Sequence, residues 1–462
     1  MPTGCGGIDD SAHVAEYRRQ GWWTGERLTD RFERLVQADH GRMAVVDDRG
    51  VALTRGELWI SAGELGDTFA DAGVRRGDAV IIYAPNTTEW QRAFLAVLRL
   101  GAVPATVPVT TDADTLAYVY ELIGARAIIA PESHRGRPTG QWARQAATST
   151  GCRGAVVIDH GGSAPRIEHL AGRDAGPLLP SGVDHLMFTS STTGRPKAVM
   201  HTSDTLGAAN IAFANRFGID ETTPIFMPSP LGHSVGAWHG ARLSLFAGAP
   251  LVLQNSWDPV RALHLVMTEG TGTTCTAEST PEQLSRTAGR PVPNLELRIN
   301  DPDASGAGEL LMRGAGVFVG YFGQEEMYRG LLTEDGWFHT GDLARVDADG
   351  YLRLTGRLKD MIIRGGVNIS PVPIEDMIAA HPAVRRVAVI GQADERLGER
   401  ICAVIVPAET PPTLEQMITW LRAQGLSERL LPEALVVVDD MPVTAAGKIR
   451  KLDLRHLVEA NQ

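Results

Sequence analysis

The sequence predicts an α/β protein with two domains. A large N-terminal domain, residues 1–357, would carry parallel sheets covered by helices, and a small mobile α+β domain, residues 358–462, would follow. Three observations support this prediction. The 462 residues exceed what one hydrophobic core usually organises. The first part of the chain alternates helical patterns with short apolar runs, which indicates βαβ units. After Arg357 the alternation restarts as a compact unit of its own.

The individual elements follow in order from about Thr54. In the N-terminal domain the helical patterns cover residues 56–73 and 90–101, and the apolar runs cover 78–85, 102–109, 125–131 and 154–160. In the C-terminal domain the patterns predict helices near 373–380 and 414–423, with strands near 385–392, 400–408 and 433–441. We expect the joint between the domains near residues 358–360.

The charge balance favours small-molecule chemistry. The 55 acidic and 44 basic residues give a formal net charge of -11, which argues against general binding to nucleic acids or anionic membranes. The sequence contains neither the apolar stretch of a signal peptide nor that of a membrane span. Its four cysteines are far apart and form no C-x-x-C pair, which favours neither disulfides nor zinc binding. We therefore expect a soluble cytoplasmic protein without nucleic-acid or membrane partners.

The most informative segment is MFTSSTTGRPKAVMHT, residues 187–202, where the end of an apolar strand runs into a cluster of hydroxyl groups. Such a loop offers hydroxyl and backbone N–H donors, together with one cation, to a polyphosphate. A polar turn between a strand and a helix is the alternative interpretation, because Ser, Thr and Gly dominate turns. The candidate nucleotide-binding residues are Thr189, Ser190, Ser191, Thr192, Thr193, Gly194 and Lys197.

This segment resembles the phosphate loop of the adenylate-forming superfamily, which contains acyl-CoA synthetases, nonribosomal peptide adenylation domains and luciferases. Further matches follow in the family's order over roughly residues 53–454. PSPLGHSVG, residues 228–236, is similar to the segment that lines the acyl pocket, which implies His233 as a pocket residue with a catalytic role. Met267, Thr268 and Glu269 resemble the end of the Y-G-x-T-E motif. By that resemblance Thr268 contacts phosphate and Glu269 holds Mg²⁺.

The C-terminal matches complete the resemblance. Residues 336–371 are similar to the ribose-binding and hinge region, which implies that Asp342 binds the ribose hydroxyls, Arg357 supports the ribose and Lys359 lies at the hinge. PVTAAGKIRK, residues 442–451, resembles the motif of the adenylation lysine, here Lys448. A carboxylate can accept hydrogen bonds from both ribose hydroxyls, and cations stabilise the charge that gathers at the α-phosphate.

The resemblance implies ATP-dependent activation of a small carboxylic acid as an acyl-AMP, with Mg²⁺ and release of pyrophosphate. The closest likeness is to free-standing acyl- or aryl-CoA ligases. Because no carrier domain follows Lys448 in this sequence, coenzyme A is the favoured thiol acceptor. A separate acyl carrier protein or an amine is the alternative acceptor, and the amine would make the enzyme an amide-forming ligase.

The sequence departs from the family pattern between Pro259 and Met267. The family has further strand and helix units there, which wall the acyl pocket, and a βαβ unit alone needs about 30 residues. Either the given sequence lacks residues that the protein has, or the protein is shortened and its pocket is open. A helix that starts near Asp258 otherwise has no return to the sheet, which favours the first explanation.

A serine hydrolase is the competing hypothesis from another class. GHSVG, residues 232–236, fits the G-x-S-x-G pattern with Ser234 as nucleophile, and the His160-Gly161-Gly162 segment is a weak candidate for an oxyanion loop. However, the nucleophile pattern requires a strand that runs straight into the turn, and Ser234 follows a loop-like PSPLGH. The hydrolase hypothesis also leaves the phosphate loop, HTGD and AGKIR unexplained.

Overall fold

The fold was analysed in a computed structural model of the chain. The structure describes residues 11–149, 154–158, 165–170, 179–189, 195–255, 287, 290–303, 305–443 and 449–460. None of the helices within these ranges is both long and apolar enough to cross a membrane.

Helices occur along the whole described chain. In chain order they are α1 Ser11–Arg19, α2 Leu28–Ala38, α3 Arg55–Asp71, α4 Thr88–Arg99, α5 Ala113–Leu122, α6 Thr139–Ser149, α7 Ser203–Phe217, α8 Leu243–Ala247, α9 Glu325–Arg329, α10 Val372–Ala379, α11 Leu414–Ala423 and α12 Lys451–Ala460. A π-helix, Gly236–Arg242, leads directly into α8, and 3₁₀ turns cover Leu358–Asp360 and Glu428–Leu430.

The strands of the N-terminal part are β1 Met43–Asp47, β2 Ala52–Thr54, β3 Ala79–Ile82, β4 Val103–Thr106, β5 Ala127–Ala130, β6 Gly154–Ile158, β7 Arg166–Leu170, β8 Val183–Phe188, β9 Ala198–Thr202, β10 Ile225–Met227 and β11 Leu251–Leu253. Those of the remaining part are β12 Leu295–Asn300, β13 Gly308–Gly314, β14 Gly320–Tyr321, β15 Phe338–Val346, β16 Leu352–Arg357, β17 Ile362–Arg364, β18 Val367–Ile369, β19 Val384–Asp394, β20 Gly398–Pro407 and β21 Ala434–Val437.

The largest sheet in the described chain has eight strands in the order β14-β9-β8-β4-β3-β5-β6-β7. Its centre, from β8 to β6, is parallel, as the alternation of helices and apolar runs predicts. Both edges are antiparallel, because β8 turns back into β9 and β6 into β7. A parallel pair needs a longer crossover connection than these links provide.

Helices cover both faces of this sheet, which confirms the prediction. Alternate residues of β3 belong to different buried clusters: Val80 and Ile82 pack with α3 and α4 on one face, and Ala79 and Ile81 pack with α5 and α6 on the other. This follows from the period of two residues along a strand. Strands that are buried on both faces explain why these runs are apolar without alternation.

Three smaller sheets complete the described fold. One has the order β10-β11-β1-β2, and another, antiparallel, has the order β12-β13-β15-β16. The antiparallel sheet was not among the predicted elements, although it carries the HTGD motif. The third sheet joins β17 to β21 and has buried clusters of its own around Ile405 and Val404, so the C-terminal part is a separate α+β unit. The residue at which the two domains divide stays a prediction.

The predicted elements agree closely with the observed ones. The helix predicted at 414–423 is α11, and the helix predicted at 56–73 is α3. Helix α3 begins at a capping box in which the Thr54 side chain accepts from the backbone of Glu57 and the Glu57 side chain accepts from the backbone of Thr54. The apolar runs predicted at 78–85, 102–109 and 125–131 are longer than the observed strands β3, β4 and β5, and the extra residues lie outside the strands.

Candidate active site

The candidate phosphate loop is the connection between β8 and β9. The last residue of β8, Phe188, pairs with the first residue of β9, Ala198, so the two ends of this connection lie side by side. Thr189 and Lys197 hold these ends together: the Thr189 amide donates to the Lys197 carbonyl over 3.1 Å, and the Lys197 amide donates to Thr189 Oγ1 over 3.2 Å. The other predicted loop residues, Ser190, Ser191, Thr192, Thr193 and Gly194, lie outside the described residues.

The Lys197 ammonium lies 5.0 Å from the centre of the Tyr321 ring. Tyr321 comes from β14, which pairs with β9 at the edge of the main sheet. A cation over an aromatic face is stabilised by the ring quadrupole, so Tyr321 restricts where this flexible side chain can point. The sequence does not mark Tyr321 as a site residue, because an aromatic residue in a short strand is more often core.

Asp342 and Arg357 are directly opposite each other on β15 and β16. Their side chains form an ion pair with 2.8 Å between Arg357 Nε and Asp342 Oδ1, and both side chains are partly exposed. The two residues that the resemblance implies for ribose binding are thus neighbours, although 14 other residues separate them along the chain.

A second set of contacts holds the loop before Asp342. Glu309 on β13 accepts from the Gly341 amide over 3.3 Å with one carboxylate oxygen, and its other oxygen lies 2.8 Å from His339 Nδ1. The Thr340 hydroxyl donates to the Leu310 carbonyl over 2.7 Å and accepts from the Asp342 amide over 3.1 Å. These bonds fix the backbone that carries the Asp342 side chain. The sequence analysis did not identify Glu309, since its partner lies 30 residues away.

Lys359, in the 3₁₀ turn that follows β16, approaches the same place. Partial burial and the neighbouring Arg357 charge lower the pKa of its ammonium, and Lys197 adds to this effect, whereas Asp360 and Asp342 oppose it. Lys359 is therefore within electrostatic range both of the phosphate loop and of the Asp342–Arg357 pair. Cations of two segments, Lys197 on one side and Arg357 with Lys359 on the other, come together near the Asp342 carboxylate. This arrangement is suited to a ligand with phosphates at one end and hydroxyl groups at the other.

His233 lies at the same edge of the main sheet. Its loop, residues 228–232, follows β10 and is fixed by Asn86, which donates to the Ser229 carbonyl over 2.8 Å and accepts from the Leu231 amide over 2.7 Å. Gly232 permits a close approach, because a Cβ there would lie 2.4 Å from the backbone of Val107, just beyond β4. Since β4 and β8 are parallel neighbours, their carboxyl ends lie side by side. The His233 loop and the phosphate loop are therefore adjacent.

The geometry of the nucleophile elbow is absent at Ser234. Strand β10 ends at Met227, six residues lie between it and Ser234, and Ser234 opens the helical segment that continues as the π-helix. The Ser234 hydroxyl lies 3.4 Å from Nδ1 of the adjacent His233. In the elbow a strand runs straight into the turn that carries the nucleophile. The His160-Gly161-Gly162 segment lies outside the described residues.

Three further predicted site residues also lie outside the described residues: Thr268, Glu269 and Lys448. The same holds for the stretch between Pro259 and Met267, where the sequence departs from the family pattern. The ends of the Lys448 segment are described. Val443 and Ile449 form a β-bridge, and the Arg450 amide donates to the Pro442 carbonyl over 2.8 Å. The segment that carries Lys448 is thus closed at its base.

Sequence comparison identifies two matching family models. The model described as AMP-binding enzyme matches residues 32–267 and 264–322, and the model described as AMP-binding enzyme C-terminal domain matches residues 373–448. Together they span well over half of the chain. The first match is interrupted at residues 264–267, at the end of the stretch where the sequence departs from the family pattern.

Similar proteins include acid ligases of two kinds. The medium-chain fatty-acid–CoA ligase of Escherichia coli is 29% identical, and the match covers 96% of this chain and 92% of that protein. That alignment extends over 539 positions, more than this chain has residues, so the relative contains stretches that this chain lacks. The 2,3-dihydroxybenzoate-AMP ligase of Bacillus subtilis is 27% identical, and the match covers 96% of this chain and 95% of that protein.

The fold is also that of a solved structure. The ATP-bound MatB protein of Rhodopseudomonas palustris superposes with a TM-score of 0.77 at 22% identity, over 93% of this chain and 99% of that one. At this identity the likeness establishes the fold.

Proposed function

The chain belongs to the AMP-binding enzyme family, and from this premise we propose that it activates a small carboxylic acid with ATP and passes the acyl group to coenzyme A. The family makes it an adenylate-forming acid ligase; the thiol acceptor is our proposal. The first step would join the acid carboxylate to the α-phosphate and release pyrophosphate. The second would replace AMP by the thiol sulfur.

The observation that carries the proposal is the convergence of Lys197, Arg357 and Lys359 beside Asp342. We assign the ribose hydroxyls to the Asp342 carboxylate, which can accept from both of them. Arg357 already orients this carboxylate through their ion pair. Lys197 would attract the phosphate oxygens, together with the hydroxyl and amide donors of residues 189–194 that the sequence predicts. No protein nucleophile is needed, because the groups supply position and charge.

Three further roles rest on the family resemblance. We propose that Lys448 bridges the attacking carboxylate and the α-phosphate, where its charge offsets the developing negative charge. Thr268 would contact phosphate, and Glu269 would hold Mg²⁺. Within the described residues no group of three or more His, Cys, Asp or Glu could hold a metal ion. This fits a Mg²⁺ bound by one or two carboxylates, substrate phosphates and water. When bound, Mg²⁺ would neutralise the departing pyrophosphate.

We propose that the C-terminal domain, residues 358–462, rotates about Lys359 between the two steps. Lys448 would be at the phosphates during adenylation and would leave them when the thiol enters. The position of Lys359 supports this hinge, because it lies between β16 of one sheet and β17 of the next. Closing motions that complete a catalytic site are common in multidomain enzymes.

The first experiment is carboxylate-dependent ATP–pyrophosphate exchange with a panel of aryl, alicyclic and short-to-medium fatty acids. Exchange with one acid class supports the proposed first step and identifies the substrate. Product analysis with coenzyme A, with an acyl carrier protein and with amines then tests the acceptor. Formation of the coenzyme A thioester is expected, and an amide or a carrier-bound thioester as the only product would contradict the proposal. Covalent labelling of Ser234 by a fluorophosphonate would instead support the hydrolase hypothesis.

A second experiment tests the hinge. Lys448→Ala should abolish exchange while it spares thioester formation from supplied acyl-AMP. Arg450→Ala is the matched control, because Arg450 forms an ion pair of 3.0 Å with Asp453 and should leave both steps intact. Equal loss of both half-reactions in Lys448→Ala would contradict the two-conformation mechanism.

A further inference from the structure

Unpaired polar atoms are concentrated between α7 and the π-helix. Asn210 on α7 is fully buried, and within the described structure neither its amide nitrogen nor its amide oxygen has a hydrogen-bond partner. On the π-helix, the indole Nε1 of Trp238 and Nδ1 of His239 are likewise buried without a partner. A buried donor or acceptor that forms no hydrogen bond destabilises the folded protein. Four such atoms on three neighbouring side chains therefore indicate a role other than stability.

Ring contacts join Trp238 and His239 of the π-helix to Phe213 of α7 and to His201. The His239 ring lies 4.4 Å from the Phe213 ring of α7, and it stacks on Trp238 with 5.3 Å between centroids and an interplanar angle of 4°. The Trp238 ring in turn lies 5.5 Å from His201. Asn210 precedes Phe213 by three residues, so both project from the same face of α7. The cluster thus combines flat apolar ring surfaces with unused hydrogen-bonding atoms.

The cluster follows the candidate pocket residue His233 closely along the chain. The π-helix begins three residues after His233. π-Helices are rare in proteins, and those that occur are often found at functional sites. In a π-helix the backbone bonds connect residue i+5 to residue i, so His239 lies one turn above Ser234, the neighbour of His233. A molecule whose carboxylate lies at the phosphate loop could therefore extend past His233 toward Asn210, Trp238 and His239.

We propose that Asn210, Trp238 and His239 recognise an oxygen atom at the far end of the acyl group, so that the preferred substrate is a ring carboxylic acid with a keto or hydroxyl substituent. The inference rests on the proposed function and deepens it. The amide NH₂ of Asn210 and the indole N–H of Trp238 are donors, which requires an acceptor on the ligand. The rings of Phe213, Trp238 and His239 provide flat apolar surface for the carbon skeleton.

The test compares pairs of acids that differ by one oxygen. Exchange rates are measured for cyclohexanecarboxylate against 4-oxo- and 4-hydroxycyclohexanecarboxylate, and for benzoate against 3- and 4-hydroxybenzoate. We expect kcat/KM to be at least about tenfold higher for the best oxygenated acid than for its parent. Asn210→Leu and Trp238→Phe should each bring this ratio toward one, because each removes a donor; leucine is close to asparagine in size, and phenylalanine keeps an aromatic ring in place of the indole.

A matched control separates recognition from folding. Asn294 is also a buried asparagine, but its amide donates to the Ala208 carbonyl over 2.8 Å. Asn294→Leu should lower the melting temperature and leave the selectivity ratio unchanged. Asn210→Leu should keep or raise the melting temperature, because it removes a buried amide without partners. Stability gained together with selectivity lost is the signature of a residue retained for binding.

Each outcome decides between the two proposals. Exchange that favours the parent acids, or a ratio that neither Asn210→Leu nor Trp238→Phe changes, overturns this inference and leaves the adenylation step intact. Exchange with no acid at all overturns the proposed function and this inference with it. If Asn210→Leu fails to fold, Trp238→Phe alone decides, since phenylalanine preserves most of the ring packing.

Discussion

Acid should destabilise this protein through its buried histidines, and His201 provides the clearest test. His201 is on β9, at 4% exposure, and its Nδ1 lies 3.4 Å from the Thr205 hydroxyl. Burial, followed by the nearby Arg242 charge, lowers the pKa of its imidazole to about 3. An unfolded histidine has a pKa of about 6.5. At a pH between these two pKa values, this histidine is protonated in the unfolded chain and neutral in the folded protein.

The sign and the size follow from this difference. Because the unfolded state binds more protons, the free energy of unfolding falls as the pH decreases from about 6.5 toward about 3. At about pH 5 the unfolded histidine lies roughly 1.5 units below its pKa, and one unit corresponds to about 1.4 kcal/mol. His201 alone should therefore reduce the free energy of unfolding by about 2 kcal/mol between about pH 7 and about pH 5. His239, whose pKa burial lowers to about 4, should add a similar loss.

The substitution His201→Phe removes this linkage. Thr205 keeps its bonds to Thr202 in the variant, so no hydroxyl is left unpaired. Urea unfolding followed by tryptophan fluorescence is measured at about pH 7 and about pH 5 for both proteins. The loss of stability on acidification should be about 2 kcal/mol smaller in His201→Phe than in the unsubstituted protein. Met200→Leu, a buried neighbour that does not titrate, controls for core disruption. An equal loss in His201→Phe and the unsubstituted protein would refute the reasoning.

Three further substitutions test the site. Asp342→Asn should raise KM for ATP by about tenfold to a hundredfold, because a hydrogen bond to a charged acceptor is worth about 1.5–3 kcal/mol; an unchanged KM would remove Asp342 from the ribose site. Glu309→Gln should raise KM for ATP several-fold, about fivefold, through the loop that carries Asp342. Glu296→Gln, a control substitution on the same sheet, should leave KM for ATP unchanged. An equal rise of KM in Glu296→Gln and Glu309→Gln would argue against positioning by Glu309. Lys451→Met should slow adenylation more than thioester formation, because Lys451 Nζ lies 2.6 Å from Glu375 Oε1 at the base of the Lys448 segment. The rates of the two half-reactions are measured separately. Equal slowing of both would mean that the Lys451–Glu375 contact serves stability alone.

Secondary structure and family could be predicted because their signals are local in the chain. The apolar run at 125–131 is buried on both faces as β5, and the alternation of such runs with helices leads to a parallel sheet. The phosphate-loop, HTGD and AGKIR segments each contain their signature within a few residues. The antiparallel pairing of β8 and β9 was not predicted, because the nine residues between the two strands, rich in hydroxyl side chains, have no periodicity that indicates strand direction.

The sequence by itself determined the α/β class, the order of the motifs and the identity of Asp342, Arg357, Lys197 and Lys359 as candidates, since each property depends on residues close together in the chain. Only the tertiary structure decided that Asp342 pairs with Arg357, that Glu309 holds the loop before Asp342, and that the buried Asn210 amide has no hydrogen-bond partner among the described residues. These contacts depend on strand register and on how α7 packs against the π-helix. Register and packing are set by the sum of many weak interactions between distant segments, which no short stretch of sequence records.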